Sequence, residues 1–170
     1  MLLVTIDFPD EIEYLRAQLE ARFRTKVNVS QCGFDCDAFL DLRRNQYSSS
    51  AIIEHLEKDL ATEDSRVLAI TGFDLYIPVL TFVFGEARLN GRCAVVSSYR
   101  LDNKFYGLPD NPALLRERLL KEAIHELGHS FGLLHCQNQE CVMKSSTYVE
   151  EIDYKSTRFC GHCSVKLKEC

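Results

Sequence analysis

One stretch of the chain carries three histidines and a glutamate in the pattern HExxHxxGxxH, beginning at His125. In a helix, His125 and His129 lie one turn apart on the same face, so both imidazoles can bind one metal ion. Glu126 is displaced by one residue, so its carboxylate can reach a water on that metal without binding the metal itself. Gly132 can take the left-handed conformation that ends the helix, which lets His135 approach as a third ligand. Three histidines leave a fourth metal position for water.

The alternative explanation is a helix whose histidines only cap it or lie on its surface. A chain of this composition contains the five specified residues at these spacings by chance on the order of once in 10^5 chains. The pattern therefore predicts a catalytic metal site. Three neutral imidazoles suit zinc, but they also accept cobalt, nickel or iron.

Four cysteines follow the histidines as a CxxxxC pair and, after a spacer, a CxxC pair. They are Cys136, Cys141, Cys160 and Cys163. Four thiolates make a closed tetrahedral zinc site with no open position, so we predict a structural zinc that fastens a loop-rich C-terminal region. The alternative is a pair of free or redox-active thiols, although CxxC here lacks the strand-to-helix setting of a dithiol motif.

Hydrophobic periodicity predicts the elements that position these motifs. The predicted strands are 2–8, 25–30, 67–71, 79–85 and 93–99, and the predicted helices are 10–23, 50–60 and 112–131. The alternation of strands and helices favours an α/β fold with a mainly parallel sheet. Asn90 and Gly91 supply a tight turn, so the segments on either side form a hairpin and 79–85 runs antiparallel at the sheet edge.

Length and composition set the broader expectations. At 170 residues and 19.5 kDa, the size predicts one domain spanning 1–170, with subdomains of about 1–132 and 133–170. A net charge of −5 and a hydrophobic content of 46% exclude a disordered chain and give no sign of nucleic acid binding. The opening residues MLLVTIDFPDEIE resemble neither a signal peptide nor a membrane helix. We therefore expect a cytoplasmic monomer with no nucleic acid or membrane partner.

The order of the motifs closely resembles that of the archaemetzincins, a branch of the metzincin zinc peptidases. The resemblance rests on HExxHxxGxxH followed at once by Cys136, then Cys141, then Met143 in CVM, then CGHC, and the upstream segments FVFGEAR and AVVSSYRL extend it. It implies that the three histidines bind a catalytic zinc, that Glu126 serves as base and acid, and that Met143 forms a Met-turn beneath the metal. The four cysteines would bind the second zinc.

The resemblance also implies a fold and a substrate site. The fold would be an α+β metzincin-like arrangement, with a five-stranded twisted mixed sheet, an active-site helix, a smaller C-terminal subdomain and a substrate cleft between the lobes. In related enzymes the antiparallel edge strand aligns an extended peptide by backbone hydrogen bonds. Phe84 and Gly85 are therefore the candidate substrate contacts; the alternative is a plain hairpin strand in which neither residue binds a ligand.

These features together predict a zinc-dependent metallopeptidase that acts on peptide or protein substrates through a zinc-bound water activated by Glu126. Exopeptidase and endopeptidase activity both fit the residues. The alternative is a zinc-stabilised peptide-binding module with little or no turnover, because ligands alone do not orient a substrate. The intact Glu126 argues against that alternative, since a binding module needs no general base.

Overall fold

The computed structural model describes residues 1–6, 12–31, 35–63 and 65–169. The strands of this part of the chain are β1 (Leu2–Ile6), β2 (Asn28–Gln31), β3 (Leu40–Asp41), β4 (Gln46–Ser48), β5 (Val67–Thr71), β6 (Leu75–Tyr76), β7 (Gly85–Ala87) and β8 (Cys93–Ser97). The α-helices are α1 (Ile12–Phe23), α2 (Ser49–Asp59), α3 (Pro112–Ser130), α4 (Val149–Tyr154) and α5 (Gly161–Glu169). Two short 3-10 helices cover Cys36–Phe39 and Asn103–Tyr106.

Five strands form one mixed sheet in the order β2-β1-β5-β8-β7. Four of them run parallel, and β7 pairs antiparallel with β8 at the edge. The central strands β5 and β8 read VLAIT and CAVVS, and every residue in them is buried. Continuous apolar runs of this kind are expected where helices cover both faces of a parallel sheet. The predicted α/β class with a five-stranded mixed sheet is confirmed.

Different helices cover the two faces of this sheet. Side chains alternate along a strand, so Leu3 and Val96 face one layer while Val4 and Val95 face the other. The first pair belongs to an apolar cluster shared with α1 and α3, and the second pair belongs to a cluster shared with α2. Leu127 of α3 lies in the first cluster. Packing against this face of the sheet therefore fixes the position of α3 and its rotation about the helix axis.

The structure contains the predicted antiparallel edge strand, but the predicted position of that strand at 79–85 is wrong. The regular pairing with β8 covers only Gly85–Ala87, and just before it the carbonyl of Phe84 accepts one further hydrogen bond from Ser97 of β8. The carbonyl of Thr81 instead accepts hydrogen bonds from the side chains of Arg44, at 3.1 Å, and Gln46, at 2.9 Å. Side chains thus satisfy backbone groups that a strand partner would otherwise satisfy, which leaves most of the apolar run VLTFVF outside the regular sheet.

A second, three-stranded sheet in the order β3-β4-β6 was not predicted. Its strands are only two or three residues long, too short for a period-2 pattern to show. The other predicted elements are present with ends that differ by a few residues. Residues 7–8 of the first predicted strand and 10–11 of the first predicted helix lie outside the described residues.

The helix predicted over 112–131 is confirmed as α3, and the region after it is less irregular than expected. Predicted as loop-rich, it also contains α4 and α5. Arg118 of α3 makes a two-pronged ion pair with Asp153 of α4, with both N···O distances at 2.7 Å. Lys155, just after α4, lies 2.7 Å from the carboxylate of Glu122. Two ion pairs therefore fasten the C-terminal region to the middle of α3.

The first apolar cluster contains side chains from both predicted subdomains, for example Leu3 and Ile152. The division near residue 132 stays a prediction. Within the described ranges, none of the helices is long and apolar enough to cross a membrane.

We expect Asp153→Ala to lower the free energy of unfolding by about 2–3 kcal/mol. The substitution strands the guanidinium of Arg118, whose side chain is only 6% exposed, while the partial exposure of the Asp153 carboxylate keeps the cost below that of a fully buried pair. Urea denaturation of the zinc-loaded protein measures the change. The control is Glu54→Gln, which breaks an exposed ion pair with Lys58 and should cost less than about 1 kcal/mol. Equal losses in the two variants would contradict the proposed fastening.

Candidate active site

Helix α3 places the HExxH residues at the centre of the molecule. The helix begins after Asn111, whose side-chain oxygen accepts from the backbone N–H of Leu114, and Pro112 occupies its first turn. Its second half is buried, and His125 and Glu126 are only 5% and 6% exposed. Polar side chains so deeply buried need specific partners.

Backbone carbonyls hold the first two imidazoles. Nδ1 of His125 lies 2.8 Å from the carbonyl oxygen of Val142, and Nδ1 of His129 lies 2.7 Å from that of Leu133. A carbonyl oxygen can only accept, so each Nδ1 carries a proton and donates it. In a neutral ring the other nitrogen, Nε2, then presents a bare lone pair. The two Nε2 atoms lie 3.1 Å apart.

Burial favours the neutral form of all three rings. It lowers the pKa of His125 well below 6.5, and it is also the largest cause of the lowered pKa values of His129 and His135. The ammonium group of Lys155 acts in the same direction on all three rings. Two lone pairs that face each other at 3.1 Å repel, unless a cation lies between them.

The third histidine reaches the same point by the predicted reversal of the chain. Gly132 has a φ of +84°, a left-handed conformation that glycine adopts without strain. Its N–H donates to the carbonyl of His129, and the N–H of Leu133 donates to that of Gly128, which closes the end of α3. The ring centroid of His135 then lies 4.8 Å from that of His129. One ring nitrogen from each of the three histidines falls within a cluster no wider than 4.8 Å.

Met143 lies in a tight turn directly beneath α3. Its side chain is fully buried, and its sulfur occupies the space that a Cβ on Gly128 would need. The carbonyl of Met143 accepts from the N–H of Cys136 at 2.8 Å. The neighbouring carbonyl, that of Val142, is the one that holds His125. The turn therefore links the first histidine to the cysteine that follows the third.

The Glu126 carboxylate lies beside the edge strand β7. A Cβ added to Gly85 would come within 2.7 Å of Cγ and 3.0 Å of Oε1 of Glu126. Burial raises the pKa of Glu126 well above 4.5, and the nearby Glu122 and Glu86 raise it further, while Lys155 opposes them. The carboxylate therefore has an unusually high affinity for a proton, a property that suits a general base.

A cleft of about 280 Å³ opens over these residues. Its lining includes His125, Glu126 and His135, and also the two predicted contacts Phe84 and Gly85. The rest of the lining was not predicted from the sequence, and it comprises Leu80–Val83, Glu122 and Ser145–Thr147. Glu122 lies four residues before Glu126 on α3, so the two carboxylates share a helix face. That spacing is the sequence feature from which Glu122 could have been predicted as a site residue.

The four predicted cysteines come together next to the histidines. Their sulfur atoms all lie within 4.8 Å of one another, and those of Cys136 and Cys160 are 3.7 Å apart. The N–H of Cys163 is the main cause that lowers the pKa of Cys160 to about 7, whereas burial raises the pKa values of Cys141 and Cys163. Four thiolates so close together would repel one another, so an arrangement of this kind is suited to a cation that offsets their charge.

The donor distances fit zinc at both clusters. Tetrahedral zinc at ordinary bond lengths holds two imidazole nitrogens about 3.3 Å apart and two thiolate sulfurs about 3.8 Å apart. The corresponding distances here are 3.1 Å for the histidines and 3.7 Å for Cys136 and Cys160. The Nδ1 bonds to carbonyls are also the contacts that orient zinc-binding histidines in proteins.

Comparison with known proteins assigns the chain to a family. The model of peptidase family M54 matches residues 16–169. The chain belongs to peptidase family M54. An M54 relative called archaemetzincin, from Methanocaldococcus jannaschii, is 46% identical over 126 residues, which is 74% of this chain and 68% of the relative. The archaemetzincin of Pyrococcus horikoshii is 42% identical over 159 residues, or 92% of this chain and 81% of the relative.

A solved structure agrees with the family assignment. The crystal structure of archaemetzincin from Methanopyrus kandleri matches with a TM-score of 0.86 at 36% identity, covering 99% of this chain and 92% of that one. The resemblance to archaemetzincins and the predicted fold class are thus confirmed. M54 membership also makes the chain a zinc metallopeptidase whose substrates are peptides or proteins.

In this M54 peptidase, we expect Gly85→Ala to lower kcat about 10- to 100-fold without loss of zinc. The new methyl group would collide with Glu126 and with the carbonyl of Val95, and a displaced carboxylate is costly because catalysis depends on sub-ångström placement. Kinetics on a cleaved peptide and zinc analysis of the same sample test this. Ala87→Gly is the matched control, a change of the same size in the same strand, and should keep kcat within about threefold. Wild-type kcat in Gly85→Ala would contradict the close approach.

Proposed function

We propose that the chain hydrolyses peptide bonds in the cleft, with His125, His129 and His135 as the ligands of a catalytic zinc and Glu126 as general base and acid. The observation that carries this proposal is the approach of the two Nε2 atoms to 3.1 Å, next to a buried carboxylate. An arrangement of neutral imidazoles that repel one another is stable only around a cation. A peptide-binding module needs neither a metal ion with an open coordination position nor a general base beside it.

When bound, zinc supplies Lewis acidity, which lowers the pKa of a water and polarises the substrate carbonyl. Glu126 takes a proton from the attacking water and then donates it to the nitrogen of the leaving amine. Burial serves this cycle in two ways, because it raises the affinity of the carboxylate for the proton and keeps bulk water from competing for it. Met143 supports the cycle from below by packing against α3 at Gly128.

The sheet edge provides the substrate alignment. Phe84 directs its carbonyl toward β8, where it accepts from Ser97 at 2.8 Å. Backbone groups alternate in direction along a strand, so the N–H and C=O of Gly85 point away from β8 and toward the open edge. We propose that Gly85 pairs by its backbone with an extended peptide, and that Phe84 contributes its side chain to the cleft wall.

The second zinc is proposed at Cys136, Cys141, Cys160 and Cys163. Four sulfur donors close the coordination shell, so this ion contributes folding energy and takes no part in hydrolysis. Its position explains how Cys136 can anchor the residue before it, which is His135. The proposed total is two zinc ions per chain.

The direct test of hydrolysis is Glu126→Gln, which keeps the shape of the side chain and removes its basicity. Zinc-loaded wild-type protein is incubated with a diverse peptide library, and mass spectrometry identifies the products. We expect Glu126→Gln to retain its zinc and to lose about 10²–10⁴-fold in rate. The exposed Glu117→Gln on the same helix is the control and should cleave at the wild-type rate.

The ends of the products distinguish trimming of a peptide terminus from internal cleavage. Cleavage at the same rate by Glu126→Gln would rule out its assigned role. Bound zinc without any cleavage by the wild type would favour the peptide-binding alternative.

Zinc analysis tests the structural site separately. We expect Cys163→Ser to lower the bound zinc from two ions per chain to one and to reduce the melting temperature sharply, since a metal that binds only the folded chain stabilises it. Cys36→Ser, a cysteine outside both clusters, should keep both ions. Two ions in Cys163→Ser, with an unchanged melting temperature, would contradict the four-cysteine site.

A further inference from the structure

A second cavity, of about 500 Å³, lies on another part of the surface and shares no lining residue with the active-site cleft. Four cations line it: Arg22, Arg24, Arg158 and Lys168. We call this cavity the basic pocket. It is unexpected in a chain with a net charge of −5, in which acidic residues outnumber basic ones by 25 to 20.

The cations of the basic pocket differ from the paired arginines elsewhere in the protein. Arg16, Arg88, Arg100 and Arg118 each lie within 3.2 Å of a carboxylate oxygen. No such pair involves a cation of the basic pocket among the described residues. Arg22 is the most buried of the four cations. Its guanidinium donates a long hydrogen bond of 3.4 Å to the hydroxyl of Thr157.

The charges of the pocket also oppose one another. The pKa of Arg22 is lowered first by burial and then by the positive charge of Arg158. Two guanidinium groups that repel each other beside a cavity are stabilised when an anion enters it, because Arg forms paired hydrogen bonds with the oxygens of carboxylate and phosphate groups. The chain itself supplies no carboxylate for this purpose in the described residues.

One wall of the basic pocket is aromatic. Phe23 stacks on Phe131 with a centroid separation of 5.5 Å and meets Phe159 edge to face at 6.3 Å. All three rings are only partly buried and line the cavity. The pocket therefore combines a charged side, suited to an oxyanion, with an apolar side, suited to a hydrocarbon or ring.

We propose that the basic pocket binds a small organic phosphate, with the phosphate group between Arg22 and Arg158 and its apolar part against the phenylalanine wall. A phosphate monoester fits better than a singly charged anion because several cations converge on the pocket. The site is separate from peptide hydrolysis. It nevertheless adjoins the catalytic centre, since a ring carbon of Phe159 lies 3.4 Å from the position of a Cβ on Gly128.

A structural explanation competes for two of the cations. Arg22 and Lys168 lie in the last turns of α1 and α5, where a positive charge stabilises the negative end of a helix dipole. Under that explanation alone, removing the charge weakens the fold slightly and has no effect on anion binding. It does not account for Arg158, which lies between helices, or for the aromatic wall.

Isothermal titration calorimetry with phenyl phosphate on the zinc-loaded protein tests the proposal. We expect saturable binding to the wild type and at least tenfold weaker binding to the double variant R22Q/R158Q. The control R43Q removes an exposed arginine elsewhere and should bind as the wild type does. Inorganic phosphate should bind at least threefold more weakly than phenyl phosphate, because it has no apolar part.

Phenyl phosphate could also bind at the catalytic centre. That binding would be equally strong in R22Q/R158Q, so unchanged affinity in the double variant overturns the proposal, as does the absence of saturable binding to the wild type. Equal affinity for inorganic and phenyl phosphate overturns the role of the aromatic wall. Melting curves without ligand show whether R22Q/R158Q is folded, and the single variant R158Q, outside any helix end, repeats the test if it is not.

Discussion

The structure depends on one electrostatic constraint, the approach of two neutral imidazoles whose lone pairs face each other at 3.1 Å. Each ring is fixed from behind by a backbone carbonyl, so neither can rotate away or change its tautomer without losing that hydrogen bond, which is buried at His125 and partly buried at His129. Both carbonyls belong to segments after α3. The reversal at Gly132 provides the carbonyl of Leu133, and the Met143 turn provides that of Val142. The C-terminal region is thus part of the proposed metal site.

Placing these groups requires a polar helix inside an apolar core. The sheet and its two apolar clusters hold α3 in position, and buried ion pairs compensate the charges that the helix brings with it. Glu122 pairs with Lys155, and Arg118 pairs with Asp153, so the same contacts that neutralise α3 also attach α4. Burial also raises the proton affinity of the Glu126 carboxylate, which is the property that the proposed general base needs. Stability and chemistry rest on the same buried residues.

Much of this site was predictable because its spacing is local. The i, i+4 histidines, the glycine that ends the helix and the four cysteines are all fixed by short-range sequence patterns, and the structure brings each set together. The apolar runs VLAIT and CAVVS likewise predicted the centre of the sheet. What failed depends on distant partners. The run at 79–85 has the pattern of a strand, but side chains of Arg44 and Gln46 bind its backbone, and nothing nearby in sequence indicates that. The contact between Gly85 and Glu126 and the basic pocket equally require knowledge of the tertiary fold.

The most direct measurement of the central claim is anomalous diffraction at the zinc absorption edge, on crystals of the protein purified with zinc. We expect two strong peaks per chain. One lies within bonding distance of Nε2 of His125 and His129 and of a ring nitrogen of His135, and the other lies among the four cysteine sulfurs. A single peak at the cysteines, with the two Nε2 atoms still 3.1 Å apart, would contradict the claim that the histidines are held together by a metal.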